Sequence, residues 1–212
     1  MMRKLILILT SAILFVSCTT EVTLTLKADD SVDIRFEGGA GEAFTRMIAG
    51  ASGVSGTGEK TASEGGDALI DPDMVTYELA RAGFADVKAE EKNGGTVLIS
   101  MCDKKQNSYV FTSGIIKSEK GRLNASITRK SLEDFYNSAD EQTRMTLDLF
   151  LAPVFNNETM SEEEYLEMVG SFYGEPAAKE VSESQVKINL ISKDGSKQTL
   201  IYPLAQVFCG LF

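Results

Sequence analysis

Beyond residue 20 the chain opens on strict alternation. Val22, Leu24 and Leu26 share one face of the run 21–27; after the polar stretch Ala28-Asp29-Asp30-Ser31, Val32, Ile34 and Phe36 resume the pattern. Successive strand side chains point to opposite faces, so this reads as a β-hairpin with one buried side. Residues 42–49 then space Phe44, Met47 and Ile48 as on a short helix. A stronger helix follows, with Asp71 placed to cap it, Pro72 at its first position, Val75, Leu79 and Ala82 in a stripe, and Gly83 to end it. Residues 84–102 read as a second hairpin across Asn93-Gly94-Gly95, since Asn-Gly suits the positive φ of tight hairpin turns. Strand-like runs at 108–116 and 123–128 flank the turn Lys120-Gly121.

The pattern then turns helical. Ser131 opens a piece carrying Leu132, Phe135 and Tyr136. Ser138 and Glu141 have capping-box spacing at the head of a helix expected to stop before Pro153. Ser161 and Glu164 repeat that spacing, Met160 and Tyr165 are placed as a hydrophobic staple, and Gly174 ends the helix they open. A third hairpin closes the chain, with Val186, Ile188 and Leu190 alternating, a turn at Asp194-Gly195, and a return through 200–202. Strands arriving as hairpins predict a mainly antiparallel sheet. Helices gathered after residue 130 predict a cover on one face, which is an α+β fold. The final hairpin is expected to rejoin the early sheet.

Residues 1–18 have another character. Arg3 and Lys4 precede an apolar run from Leu5 to Val16, twelve residues long. That is short of the roughly twenty needed to span a bilayer and suits an export signal. The run ends in Phe15-Val16-Ser17-Cys18. A small residue directly before a cysteine at this point resembles the lipobox of bacterial lipoproteins. The departure is Phe15, where the common pattern has Leu, and it resembles the relaxed lipoboxes of spirochaetes. The resemblance covers the export segment alone. It implies cleavage after Ser17, removal of residues 1–17, and lipid on the Cys18 thiol. Cys18 lies three positions before the first strand, so the tether would be short. Residues 18–212 would form a single lipid-anchored domain with a flexible loop at 50–66, where six glycines fall among Ser, Thr and Glu.

Composition narrows the chemistry. With 43% hydrophobic and 25% charged residues the chain is ordinary globular material. It contains no His, which excludes a Ser-His-Asp triad, a Cys-His dyad and a His-ligated metal. The net charge of −10 disfavours nucleic acid and anionic lipid surfaces. Removal of the signal, with Arg3 and Lys4, takes it to −12.

Three motifs carry weak chemistry. Gly53-Val54-Ser55-Gly56-Thr57-Gly58-Glu59-Lys60-Thr61 approaches a phosphate-binding loop, but Glu59 separates the lysine from the last glycine and would repel phosphate. Ser184 and Lys187 have the spacing of a nucleophile pair, yet they enter a predicted strand, where positions three apart face opposite ways. Glu162, Glu163 and Glu164, like Asp140 and Glu141, sit where carboxylates favour a helix N-terminus. With Cys18 lipidated, Cys102 and Cys209 remain, either as a disulfide closing a long loop or as two buried thiols.

These residues nominate no catalytic, cofactor-binding or metal-binding group. The expected role is a non-catalytic binding or interaction domain of the cell envelope, exported and held on the inner or outer membrane through Cys18. Its partner would be an envelope protein or a small apolar ligand between sheet and helices. The rivals are an envelope hydrolase using a carboxylate pair remote in sequence, and a surface adhesin or antigen.

Overall fold

The computed structural model describes residues 20–39, 41, 43, 71–92, 96–138, 144, 148, 151, 153, 154 and 160–211. Its centre is a six-stranded sheet in the order β3-β4-β2-β1-β7-β8. The strands are β1 (Thr20–Leu26), β2 (Val32–Gly39), β3 (Ala85–Lys92), β4 (Thr96–Asp103), β7 (Gln185–Ile191) and β8 (Lys197–Pro203). A separate hairpin is formed by β5 (Ile116–Glu119) and β6 (Arg122–Ala125). Neighbours in the sheet run antiparallel except β1 and β7, which are parallel and in register from Thr20↔Val186 to Thr25↔Ile191. The last hairpin therefore does rejoin the first, and the fold is α+β.

One face of the sheet is apolar. Leu24 and Leu26 on β1, Val32, Ile34 and Phe36 on β2, Val97, Ile99 and Met101 on β4, and Val186, Ile188 and Leu190 on β7 are all buried. The registers Leu24↔Ile34, Ile34↔Met101 and Leu24↔Leu190 put them side by side on that face. Helices cover it. From α1 (Pro72–Arg81) come Val75 and Leu79; from α4 (Glu162–Tyr173), Tyr165 and Val169; from α5 (Glu175–Glu183), Ala177, Ala178 and Val181; from α6 (Leu204–Cys209), Leu204, Val207 and Phe208. The opposite face is polar and wet. Glu21 meets Lys187 at 3.2 Å and accepts from Asn189 Nδ2 at 2.6 Å, while Thr199 Oγ1 donates to Asn189 at 2.8 Å.

Local chemistry explains the boundaries. Asp71 caps α1, its carboxylate accepting from the N–H groups of Asp73 (2.9 Å) and Met74 (3.3 Å). Ser161 and Glu164 form the expected box on α4: Glu164 N donates to Ser161 Oγ at 3.2 Å, and Ser161 N to Glu164 Oε2 at 2.8 Å. The turn after β1 closes with Lys27 N on Ser31 O at 2.8 Å, and Asp30 takes φ 66° there.

Several expectations need correction. Residues 108–116 do not form a strand. The carbonyl of Ser108 accepts from the N–H groups of Phe111 and Thr112, making the short helix α2 (Tyr109–Thr112), and Gly114 at φ 77° turns the chain into β5. The next helix, α3 (Arg129–Ser138), starts earlier than Ser131. Its box is formed by Thr128 and Ser131, each donating a backbone N–H to the other's hydroxyl at 2.9 and 3.1 Å. Ser138 accordingly lies in the last turn of α3, while 144, 148 and 151, within the span of the helix expected to follow it, are helical. Pro153 is itself in helical backbone. Glu141, the Asn93-Gly94-Gly95 turn, the Gly-rich loop 50–66 and, save Ala43, the 42–49 helix lie outside the described residues. Helices α5 and α6 are additions to the expected elements.

Two measurements check this packing. Leu190 is 1% exposed at the centre of the apolar face, so Leu190→Ala should cost about 2–5 kcal/mol of unfolding free energy, whereas Thr199→Ala on the wet face should stay within about 1 kcal/mol. Burial pushes the Tyr165 phenol well above its ordinary 10.0 and the Cys209 thiol from 9.0 to about 11. Above those ordinary values the unfolded chain loses its protons first, so stability should hold to about pH 9 and fall beyond it. A denaturant series across pH should show that alkaline fall reduced in a Tyr165→Phe, Cys209→Ala chain.

Candidate functional site

The strand directions give the sheet two unlike ends. Thr20 and Gln185 start β1 and β7, and Gly39, Lys92, Thr96 and Pro203 lie at the same end by register. This is the entry end, because the chain arrives there from Cys18. The opposite end collects the β1–β2 turn, the 103–108 loop and the β7–β8 turn. Seven residues of β1 separate the two ends, about 20 Å.

The turn end is tied together by backbone-directed polar contacts. Asp103 is 3% exposed, and its carboxylate accepts from three peptide N–H groups: Lys105 (3.1 Å), Asn107 (3.3 Å) and Ser108 (2.9 Å). Gln106 takes φ 50° and donates its amide to Asp30 O at 2.7 Å. Lys193 binds the same turn, meeting the Asp30 carboxylate at 2.6 Å and Ala28 O at 3.1 Å, while its N–H donates to Gly121 O at 3.0 Å. Leu123 N donates to the buried Ser192 hydroxyl at 3.2 Å, which fastens the β5–β6 hairpin to this corner. Four loops distant in sequence thus hold one another through hydrogen bonds and one ion pair.

Among the described residues, the carboxyls whose titration departs from the ordinary range depart downward. The Ser31 hydroxyl and N–H hold Asp29 low, Ser196 does the same for Asp194, the Ser161 N–H for Glu164, and Lys92 with Arg35 for Glu37. Each is a carboxylate kept ionised by a structural hydrogen bond, the reverse of what a general acid needs. No group of three or more Cys, Asp or Glu among the described residues is arranged to hold a metal ion.

The residues singled out from sequence separate widely. Ser17, Cys18 and the 53–61 segment lie outside the described residues. Ser184 is buried at the end of α5, its hydroxyl donating to Glu180 O at 2.5 Å, whereas Lys187 stands on the wet face with Glu21. They are not a catalytic pair. Glu162–Glu164 form the first turn of α4, and Glu162 also accepts from Gln206 at 3.3 Å. Of the two readings of Cys102 and Cys209, the structure takes separate thiols: both are free and buried. Cys102 pairs with Asp33 and Ala85 on the wet face of β4, while Cys209 lies in the helix-covered core, its thiol 3.7 Å from Ser161 O. The sheet stands between them.

The Asp103 knot escaped sequence reading. Its signal was an aspartate ending a strand ahead of the polar run Lys104-Lys105-Gln106-Asn107-Ser108, which is Asx-turn chemistry. The space between sheet and helices holds the chain's own side chains, with Tyr165, Phe208, Leu204, Val154 and Val181 at most 1% exposed. Comparison of the chain with known protein families, curated proteins and solved structures finds no match.

Removing the Asp103 carboxylate strands three backbone donors. Asp103→Ala should cost about 2–3 kcal/mol, and Asp103→Asn, which keeps one acceptor oxygen, distinctly less. Thermal unfolding of the two variants beside the parent checks the ranking.

Proposed function

We propose that the chain is a bacterial lipoprotein: exported, cut after Ser17, anchored by lipid on Cys18, and acting in the envelope as a non-catalytic binding domain for another protein. The observation that carries the reading is where β1 begins. Thr20 is already in the sheet, two positions after Cys18. Two residues span at most about 7 Å. A lipid on Cys18 would therefore hold the entry end against the bilayer and hold the turn end about 20 Å above it. Two or three acyl chains, at about 0.8 kcal/mol per buried methylene, give a long-lived anchor.

The acidic surface agrees with anchoring by lipid and not by protein charge. Seven of the eight charged residues between Glu162 and Glu183 are glutamates, Lys179 being the exception. No described helix is long and apolar enough to cross a membrane. A protein partner fits better than a small apolar ligand, because side chains of the chain itself fill the sheet–helix interface while, among the described residues, nothing covers the wet face or the β8 edge.

The test is the intact mass of protein extracted from membranes in mild detergent. The reading predicts a chain starting at Cys18, heavier by a diacylglyceryl group and an acyl chain, and an unprocessed, unlipidated precursor for Cys18→Ala. An unmodified chain starting elsewhere would overturn it.

A further inference from the structure

The sheet has two edges, and only one is defended. At β3 the register shifts between Ala85 and Lys88, Asp86 sits at φ 55°, and Lys88, Glu90, Glu91 and Lys92 line the strand. Bulges and charges of this kind stop a sheet edge from pairing further. The β8 edge has no bulge, and its one charge, Lys197, stands at its start. Its register with β7 runs unbroken from Lys197 to Pro203, and residues 198–202 are uncharged. Ile201 is 55% exposed on it.

Two hydrogen bonds decide which backbone groups of β8 face outward. Leu204 N donates to Ser184 O at 2.9 Å, and Ser192 N to Ser196 O at 3.0 Å. Both pairs belong to the antiparallel register that aligns Val186 with Tyr202, Ile188 with Leu200 and Leu190 with Gln198. Hydrogen-bonded pairs alternate with non-bonded ones, so Gln198, Leu200 and Tyr202 bond to β7. Lys197, Thr199 and Ile201 then point both N–H and C=O away from the sheet, and Pro203 points its carbonyl. No backbone partner for these outward groups occurs among the described residues.

We propose that this edge takes an extended segment of another envelope protein as a seventh, antiparallel strand. Thr199 and Ile201 would each exchange a pair of backbone hydrogen bonds with it, and side chains beside Ile201 would be apolar. Lys197 makes no ion pair among the described residues, although Lys193 and Arg122 nearby are each paired. The incoming strand accordingly carries a carboxylate opposite Lys197, near its C-terminal end. The choice of a foreign strand over a second copy rests on the anchored-domain reading. Antiparallel β8–β8 pairing would reverse one copy, set the two Thr20 ends at opposite ends of the joined sheet, and keep both anchors from reaching one bilayer.

The probe is the synthetic peptide Val-Thr-Val-Thr-Val-Thr-Glu, which places Val against Thr199 and Ile201 and Glu against Lys197. It is titrated into the full chain in mild detergent, with backbone amide NMR and hydrogen exchange as readouts. The expected result is shifted and slowed exchange at Thr199 and Ile201, with Glu90 on β3 unchanged. Ile201→Pro removes an outward donor that β7 does not use, and Pro is tolerated at such positions. It should weaken binding at least about tenfold while the amides of Leu200 and Tyr202 stay protected. Ile201→Lys charges the edge and gives the same loss should the proline variant not fold. Absence of peptide effects with fast exchange at Thr199 and Ile201 overturns the proposal. So does protection of those amides before peptide is added, or a concentration-dependent dimer that Ile201→Lys dissolves. The lipid on Cys18 is read separately by mass, so the two readings fail independently.

Discussion

The parallel pairing of β1 with β7 holds the architecture together. It joins the first hairpin to the last across 166 positions, from Thr20↔Val186 to Thr25↔Ile191. Without it the chain would have a four-stranded sheet and a detached hairpin, each with an apolar face too narrow for the helices. With it, Leu24 and Leu190 stand side by side at the middle of one continuous surface, and α4, α5 and α6 have a common floor. Such a contact carries a high loop-closure cost before it returns any stabilisation, so it belongs to the late and cooperative part of folding. The same pairing puts the starts of both strands at one end of the sheet, which gives the molecule an entry end and a turn end.

Burial on one face alone sets the rest. The sheet's wet face joins polar side chains from different strands: Glu21 with Lys187 and Asn189, Lys27 with Asp33 at 2.8 Å, Glu37 with Lys92 at 3.1 Å. Exposed pairs of this kind contribute little each. The turn end is built differently. There a buried carboxylate, Asp103, organises peptide N–H groups, and Lys193 ties two turns to the β5–β6 hairpin. The result is a firm corner about 20 Å from the end that the proposed anchor would occupy.

Much of this was written in the sequence in local form. The alternation of β1, β2 and β7, the Asp71 cap with Pro72, and the Ser161–Glu164 box each depend on neighbours a few residues away, and each appears where its chemistry puts it. What failed depended on partners elsewhere. Residues 108–116 are apolar enough for a strand, but Asp103 captures the Ser108 N–H and the chain coils into α2 instead. Helix α5 follows α4 after a single glycine, Gly174 at φ 91°, and of its buried residues Ala177, Ala178 and Val181 only the valine is a large apolar side chain. Helix α6 begins at Leu204 directly after β8, with no side-chain cap at Pro203 to announce it. The parallel direction of β1 and β7 is invisible to any hairpin argument. Of the candidate sites, the proposed lipobox rests on a contiguous sequence pattern, whereas the edge of β8 emerges only once strand order and hydrogen-bond parity are known.

The central claim is that the domain stands on its entry end. Its most direct test is the height of two positions above the bilayer, measured on membrane-bound protein by energy transfer from labels at Lys92→Cys and Ser196→Cys to acceptors in the lipid headgroups. The account predicts strong transfer from residue 92 and weak transfer from residue 196, a difference equivalent to about 20 Å of height. Equal transfer from both, or the reverse order, would contradict it.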